Sequence, residues 1–234
     1  MGGYMGYMIV TAIAAAIGGL VGKVLQSKIN KYLQVPMSSG RSGSQIAKEM
    51  LDHYGLYDVR IVEGQGMLTD HYNPQTKTIS LSPPIYNGTS VASAAVAAHE
   101  CGHAVQHAEA YSFLQMRSAI VPFVQFSSRA QRFVVMGMAF IGAGATSQVG
   151  GWMMLACVVL FGITALFSFI TLPVEFDASN RALAWLDETG AVQGAEYDGA
   201  KDALKWAAMT YVAAALSALI MVLYFLMRYM GSRR

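Results

Sequence analysis

Charged residues are scarce in this sequence. Asp, Glu, Lys and Arg make up 13% of 234 residues, whereas about a quarter is typical of a soluble domain. Hydrophobic residues make up 54%, so the composition favours a membrane protein. The formal net charge is only +2 and there is no block of Lys and Arg, so nothing indicates a nucleic-acid partner.

Cysteine is scarce as well. Cys101 and Cys157 form no C-x-x-C pair, and two residues give no disulfide framework. The sequence also has no basic region before its first apolar run, where a secretory signal would carry one. We therefore expect that run to be a retained membrane span.

Four segments have the roughly 20 apolar residues that a spanning helix needs. The predicted spans are about 4–25, 122–145, 150–172 and 206–228. Residues 133–174 carry no charge and are too long for one span, while GAGATSQVGG in the middle is typical of a turn. The sequence therefore predicts a helical hairpin there.

Four spans place segments 26–120 and 173–205 together on one side of the membrane. Basic residues flank the spans mainly on that side, which predicts a cytoplasmic site by the positive-inside rule, although the tail RYMGSRR argues against it. In segment 26–120 we predict a short helix over SGSQIAKEMLDHYG and a strand at DVRIVEG. A hairpin joined at NPQT, a turn at SPPIYNGTS and a long Ala-rich helix follow.

The Ala-rich helix contains His99-Glu100-Cys101-Gly102-His103, an H-E-x-x-H motif. Residues four apart lie on one helical face, so two imidazoles can bind the same metal ion. Glu100 lies one step further round, where it can accept a proton from a water that zinc activates. An ordinary pair of helix histidines is the alternative interpretation. Cys101 points elsewhere and is expected to be buried and inert, and Gly102 would allow another element to pack closely.

A catalytic zinc site needs a third ligand. His107 continues the four-residue spacing, but it lies about 12 Å along the helix axis from His99 and cannot share the ion. We interpret His107 as a residue beside the site or as an exposed one. His71, on the predicted hairpin, is a candidate for the cleft, although a lone histidine is more often structural.

The better third ligand is a carboxylate in LPVEFDASNRAL. Pro173 suits the first turn of a helix, and Glu175 follows at once. Acids also favour helix starts through the dipole, which is the alternative explanation for Glu175 and more so for Asp177. Ser179 is a candidate to hydrogen-bond a ligand, and Arg181 to contact a reacting oxyanion or simply to be solvated.

Three stretches together, DHYNPQTKTISLS, VAAHECGHAVQH and LPVEFDASNRAL, resemble the YugP-like membrane zinc metallopeptidases over most of the chain. That family is similar to the HtpX-type and prenyl-protein-processing membrane proteases. In those proteases a Glu in a pattern like E-x-x-A-D completes the zinc site. The resemblance implies this role for Glu175 and a cytoplasmic active site. Ser179 stands where the pattern has Asp, which leaves Asp177 as a second candidate ligand.

The sequence thus predicts an α-helical integral membrane protein with four transmembrane helices and a small α+β zincin-like metallopeptidase subdomain. We expect one domain over 1–234, located in the cell membrane, which hydrolyses peptides or membrane proteins with Zn²⁺. Extended substrate would pair with the hairpin near Ile79–Ser82. The alternative is a zinc-binding scaffold or regulator without proteolytic activity. An intramembrane protease or a transporter is less favoured, and the oligomeric state stays open.

Overall fold

The computed structural model describes residues 2–140 and 148–231, which are mostly helical. In chain order the elements are α1 (Gly2–Leu33), α2 (Gly43–His53), β1 (Arg60–Glu63), β2 (His71–Asn73), β3 (Thr78–Leu81), α3 (Pro83–Tyr86), α4 (Val91–Ala108), α5 (Ser112–Phe140), α6 (Gln148–Glu188) and α7 (Ala195–Gly231). The short helix α3 replaces the turn predicted at SPPIYNGTS. Its Pro83 occupies the first helical position, where the missing N–H costs nothing.

Three helices are long and apolar enough to cross a membrane within the described residues: α1 from Met5, α6 and α7. They correspond to the first, third and fourth predicted spans, and all three helices extend beyond the predicted limits. The predicted second span, 122–145, falls on α5 as far as Phe140, and α5, which contains Arg129 and Arg132, is not among these three helices. The predicted turn between the second and third spans falls mostly on 141–147, outside the described residues.

The chain divides into two compact units. The first combines Met1–Val21, Met116–Leu172 and Thr210–Arg234, and the second combines Gly22–Gln115 and Pro173–Met209. The second unit contains the sheet, helices α2 to α4 and the H-E-x-x-H motif. Its buried core includes Ile46 and Met50 of α2 and Leu81 of β3.

The sheet has the strand order β1-β3-β2. The hairpin prediction is confirmed, because β2 and β3 pair antiparallel with His71 opposite Ser80. β1 pairs parallel to β3, with Arg60 opposite Thr78. The predicted substrate edge at Ile79–Ser82 is therefore wrong: β3 is the central strand, with both edges already hydrogen-bonded, and β1 and β2 form the edges.

Helix α4 is confirmed as a long helix, and its start is defined by a side-chain cap. Ser90 accepts a hydrogen bond from the backbone N–H of Ser93, at 3.1 Å. Small buried residues such as Ala94, Ala97 and Ala98 let α4 pack against α2. The cap and the buried alanines therefore fix the position of α4 without any contribution from the histidines.

Helix α6 runs without interruption through Pro173. The expectation that Pro173 begins a new helix is wrong, although proline in a helix interior removes a hydrogen bond and costs about 3 kcal/mol. Long apolar helices tolerate it because neighbouring groups satisfy the freed backbone. Glu175 consequently lies well inside a helix, so attraction to a helix N-terminus does not explain its presence.

Candidate metal centre

The two motif histidines share one face of α4. Their ring centroids are 4.7 Å apart and nearly perpendicular, at 81°. Each ring has a neighbour at Nδ1: Ser179 Oγ lies 3.2 Å from Nδ1 of His99, and Gln106 Oε1 lies 3.0 Å from Nδ1 of His103. Both rings are therefore held at one nitrogen and can present the other, Nε2, to a ligand.

Both Nε2 atoms face Glu175 of helix α6. Glu175 Oε2 lies 3.4 Å from Nε2 of His99 and 3.6 Å from Nε2 of His103. The Glu175 side chain is 2% exposed. Potential ligand atoms of the three residues all lie within 4.8 Å of one another. The structure thus brings together the two histidines and the carboxylate that the sequence singled out.

A glycine makes this approach of α6 to α4 possible. A Cβ atom added to Gly102 would lie 2.6 Å from the backbone oxygen of Ala178. A Cβ atom essentially never comes that close to another heavy atom, so any side chain at 102 would force the two backbones apart. Because Ala178 is three residues beyond Glu175, the glycine determines how close the carboxylate comes to the histidines.

The geometry of the three residues fits a zinc ion. Ligands about 2.1 Å from a tetrahedral ion lie about 3.4 Å from one another. The two nitrogen-to-oxygen distances, 3.4 and 3.6 Å, are close to that value, and all three ligand atoms lie within 4.8 Å of one another. Two imidazole nitrogens and one carboxylate oxygen form a donor set that zinc favours, and three protein ligands leave a fourth position open.

The electrostatic surroundings of the histidines favour a cation. Burial on its own would lower the pKa of His103, but the Glu175 carboxylate as a hydrogen-bond acceptor and the charges of Glu100 and Glu175 outweigh it and raise that pKa. Positive charge, whether a proton or a metal ion, is therefore stabilised between these groups. Glu100 is itself buried, and it is close enough to His103 for its charge to matter.

Cys101 takes no part in the centre. It is fully buried, and its Sγ lies 3.5 Å from the backbone oxygen of Ala47. Burial, with a smaller effect of the Glu100 charge, raises the pKa of the Cys101 thiol well above its usual value. The thiol therefore stays protonated, and a protonated thiol is a poor nucleophile and metal ligand.

Asp177 and Arg181 form a pair outside the three-residue cluster. Arg181 Nε donates to Asp177 Oδ2 at 2.6 Å, and its Nη1 donates to Glu109 Oε2 at 2.7 Å. Asp177 Oδ2 also accepts a hydrogen bond from Gln106 Nε2, at 2.8 Å. These bonds give Asp177 a supporting position rather than a ligand position, and they engage Arg181 in ion pairs.

His107 and His71 are both separate from the cluster. Nδ1 of His107 lies 2.9 Å from the hydroxyl oxygen of Tyr72 on β2. Nδ1 of His71 lies 2.8 Å from the backbone oxygen of Thr69. His107 therefore lies on the motif helix one turn beyond His103, and Tyr72 of β2 contacts the helix there.

Sequence reasoning missed Gln106. This side chain is completely buried and contacts both His103 and helix α6. The available signal was a long polar residue three positions after His103, on the same face of an otherwise Ala-rich helix. Buried polar side chains need partners, and three positions earlier on the same face the helix offers His103.

Comparison with known proteins supports the assignment of a zinc site independently of its geometry. Residues 7–230 match the family described as "Putative neutral zinc metallopeptidase". The chain is 40% identical over 209 residues to the "Putative membrane protease YugP" of Bacillus subtilis (strain 168), covering 89% of this chain and 90% of that protein. No solved structure gives a significant match. By the extent of both matches, this chain belongs to that zinc metallopeptidase family, and its family cofactor is Zn²⁺.

Proposed function

We propose that this protein is a membrane-bound zinc metalloendopeptidase that cleaves peptide bonds at or near the membrane surface. His99, His103 and Glu175 hold the metal, and Glu100 is the catalytic acid and base. The observation that carries this proposal is the convergence of both Nε2 atoms on Glu175 Oε2, at 3.4 and 3.6 Å, beside a buried Glu100. The family relationship and the apolar helices support the protease and membrane parts of it.

The catalytic work divides among a few side chains. Zinc, when bound, polarises a carbonyl group and lowers the pKa of a water molecule. The two histidines and Glu175 would fix the position of the ion. Ser179 and Gln106, which lie beside the Nδ1 atoms, hold the two histidine rings. Glu100 accepts the proton of the attacking water and passes it to the departing amine nitrogen, so the same carboxyl serves as base and then as acid.

The substrate binds as an extended strand along β2, which replaces the edge first expected at Ile79–Ser82. β2 is an edge strand and packs against α4, whereas β1, the other edge, packs against α2 and α3. Tyr72 of β2 reaches the motif helix through its hydrogen bond with His107. Backbone hydrogen bonds along this edge would give affinity for many peptide sequences.

The membrane arrangement includes a fourth span formed by α5. Large apolar side chains along α5 are exposed, as in a lipid-facing helix: Phe113, Met116, Phe123, Phe126, Phe133 and Met136. Its polar Gln131 is satisfied by another helix, because Nε2 donates to Leu160 O and Thr164 Oγ1, each at 2.9 Å. Hydrogen bonds of this kind hold helices together in lipid. Arg129 and Arg132 would extend toward the head groups.

The whole chain, 1–234, acts as one membrane-embedded domain in the cell membrane. Its active site faces the cytoplasm, because more Lys and Arg flank the spans on the active-site side and the positive-inside rule places such residues in the cytoplasm. Its partners are lipid and a peptide or membrane-protein substrate. The competing function, a zinc-dependent scaffold, fits less well: the cluster found among the described residues has three ligands, whereas structural zinc sites use four.

The substitution Glu100→Gln tests this function. Glutamine has nearly the same shape but cannot accept the proton, so cleavage of a peptide library should fall by about 10²-fold or more. The purified variant should still bind zinc as the wild type does, because Glu100 is not a ligand. Cleavage at the wild-type rate by a zinc-loaded Glu100→Gln variant would refute the mechanism.

A further inference from the structure

We propose that Gln106 is a positioning residue that keeps the proton of His103 on Nδ1, so that Nε2 presents its lone pair to the metal. This inference rests on the proposed function of the centre, and its test separates the two. The proposal rests on the three hydrogen-bond partners of the Gln106 amide, which are His103, Val174 and Asp177.

The orientation of the Gln106 amide is decided by its neighbours. One end of the amide lies 2.8 Å from the backbone oxygen of Val174 and 2.8 Å from Asp177 Oδ2. Both neighbours can only accept hydrogen bonds, since one is a carbonyl and the other a carboxylate. The NH₂ group must therefore occupy that end, where both of its hydrogens are used.

The other end of the amide, Oε1, then faces His103. It lies 3.0 Å from Nδ1 of the ring. An amide oxygen can only accept, so the hydrogen bond exists only when Nδ1 carries the proton. Nε2 of His103 is then the nitrogen left with a lone pair when the ring is neutral, and it is the nitrogen that faces Glu175 Oε2.

His99 has no equivalent constraint. Its Nδ1 neighbour is the hydroxyl of Ser179, at 3.2 Å. A hydroxyl can donate or accept, so it satisfies either tautomer of His99. The two zinc histidines therefore differ: Gln106 dictates the tautomer of one, while Ser179 permits both at the other.

A chain of charged groups holds Gln106 in this orientation. Asp177 Oδ2 accepts a hydrogen bond from the amide NH₂ of Gln106. It also accepts one from Arg181 Nε, at 2.6 Å, which fixes the carboxylate. Arg181 in turn reaches Glu109 at the end of α4, at 2.7 Å. These bonds lead from Gln106 of α4 through Asp177 and Arg181 of α6 back to Glu109, the residue that caps the end of α4. They therefore tie the two helices together on the side of His103. Groups that orient metal ligands in this way commonly contribute 10- to 100-fold to metal affinity.

The first experiment compares Gln106→Leu with wild type by measuring the zinc dissociation constant in competition with a chelator. Leucine keeps most of the volume but removes the acceptor for Nδ1–H, so we expect zinc binding to weaken by about 10- to 100-fold. The absorption spectrum of the Co²⁺-substituted protein should change as well, since the His103 ring is no longer held. The matched control is Gln131→Leu, which removes a bonded amide in the other unit and should leave zinc affinity unchanged.

The second experiment is a swap that restores the acceptor. In Gln106→Glu a carboxylate oxygen still accepts from Nδ1–H, but the other oxygen faces two acceptors, Val174 O and Asp177 Oδ2, and both repel it. Adding Asp177→Asn removes one of these two repulsions and supplies an NH₂ group to that oxygen, so the double variant should bind zinc more tightly than Gln106→Glu alone. A purely structural role of Gln106 predicts no such rescue.

The outcomes are distinguishable. If Gln106→Leu binds zinc as tightly as wild type, or if the double variant binds no better than Gln106→Glu, this inference is overturned. The proposed function would still stand in that case. If wild type itself binds no zinc, the proposed function fails, and the inference about Gln106 fails with it.

Discussion

The two sides of the metal centre are built in different ways. On α4 the ligands are positioned locally, by a four-residue spacing on a capped helix whose other faces are buried among small residues. On α6 the ligand Glu175 depends on a distant packing contact, the approach of the Ala178 backbone to Gly102. The histidine side should therefore tolerate the loss of its helix cap and depends on α6 only through the neighbours of the two Nδ1 atoms, whereas the carboxylate side should be sensitive to anything that separates the helices.

The largest effect should come from Gly102→Ala. The added Cβ would meet the Ala178 backbone at 2.6 Å, and a backbone cannot rotate away as a side chain can. We expect destabilisation on the order of 1–3 kcal/mol together with a large loss of zinc affinity, measured by thermal unfolding and zinc titration.

The matched control for Gly102 is Gly22→Ala in helix α1, where an added Cβ meets nothing within 4 Å. That substitution should be neutral or stabilise by up to about 1 kcal/mol through helix propensity. Equal effects at positions 102 and 22 would contradict the assigned role of the close contact.

A smaller effect is expected from Ser179→Ala. It removes the neighbour of Nδ1 on His99, at 3.2 Å, but leaves the three metal-binding atoms and the helix contact in place. Zinc affinity should fall by about tenfold or less. A loss larger than that of Gln106→Leu would reverse the predicted difference between the two histidines.

The smallest effect is expected from Ser90→Ala, which removes the cap of α4. The free energy of unfolding should fall by about 1 kcal/mol, because one backbone N–H at the helix start loses its acceptor. Zinc affinity of the folded protein should be unchanged, since the motif lies more than two turns away. A change in zinc affinity comparable to that of Ser179→Ala would show that the positions of the histidines depend on the cap of α4.

The same contrast explains what could be predicted from the sequence. Periodicity and caps are local, so they identified α2, α4, the hairpin and the H-E-x-x-H face. The parallel pairing of β1, the passage of α6 through Pro173 and the use of Asp177 to hold Gln106 depend on contacts between distant segments. Gln106 shows the limit most clearly: its role follows from Val174 and Asp177, which lie on another helix and leave no trace in the local pattern.

The most direct test of the proposed metal centre is the zinc content per chain of purified wild type, Glu175→Ala and Asp177→Ala. We expect one zinc ion in wild type, little or none in Glu175→Ala, and a retained but weaker site in Asp177→Ala, since Asp177 acts through Gln106. A wild type without zinc, or a Glu175→Ala variant that keeps a full equivalent, would contradict the proposed centre.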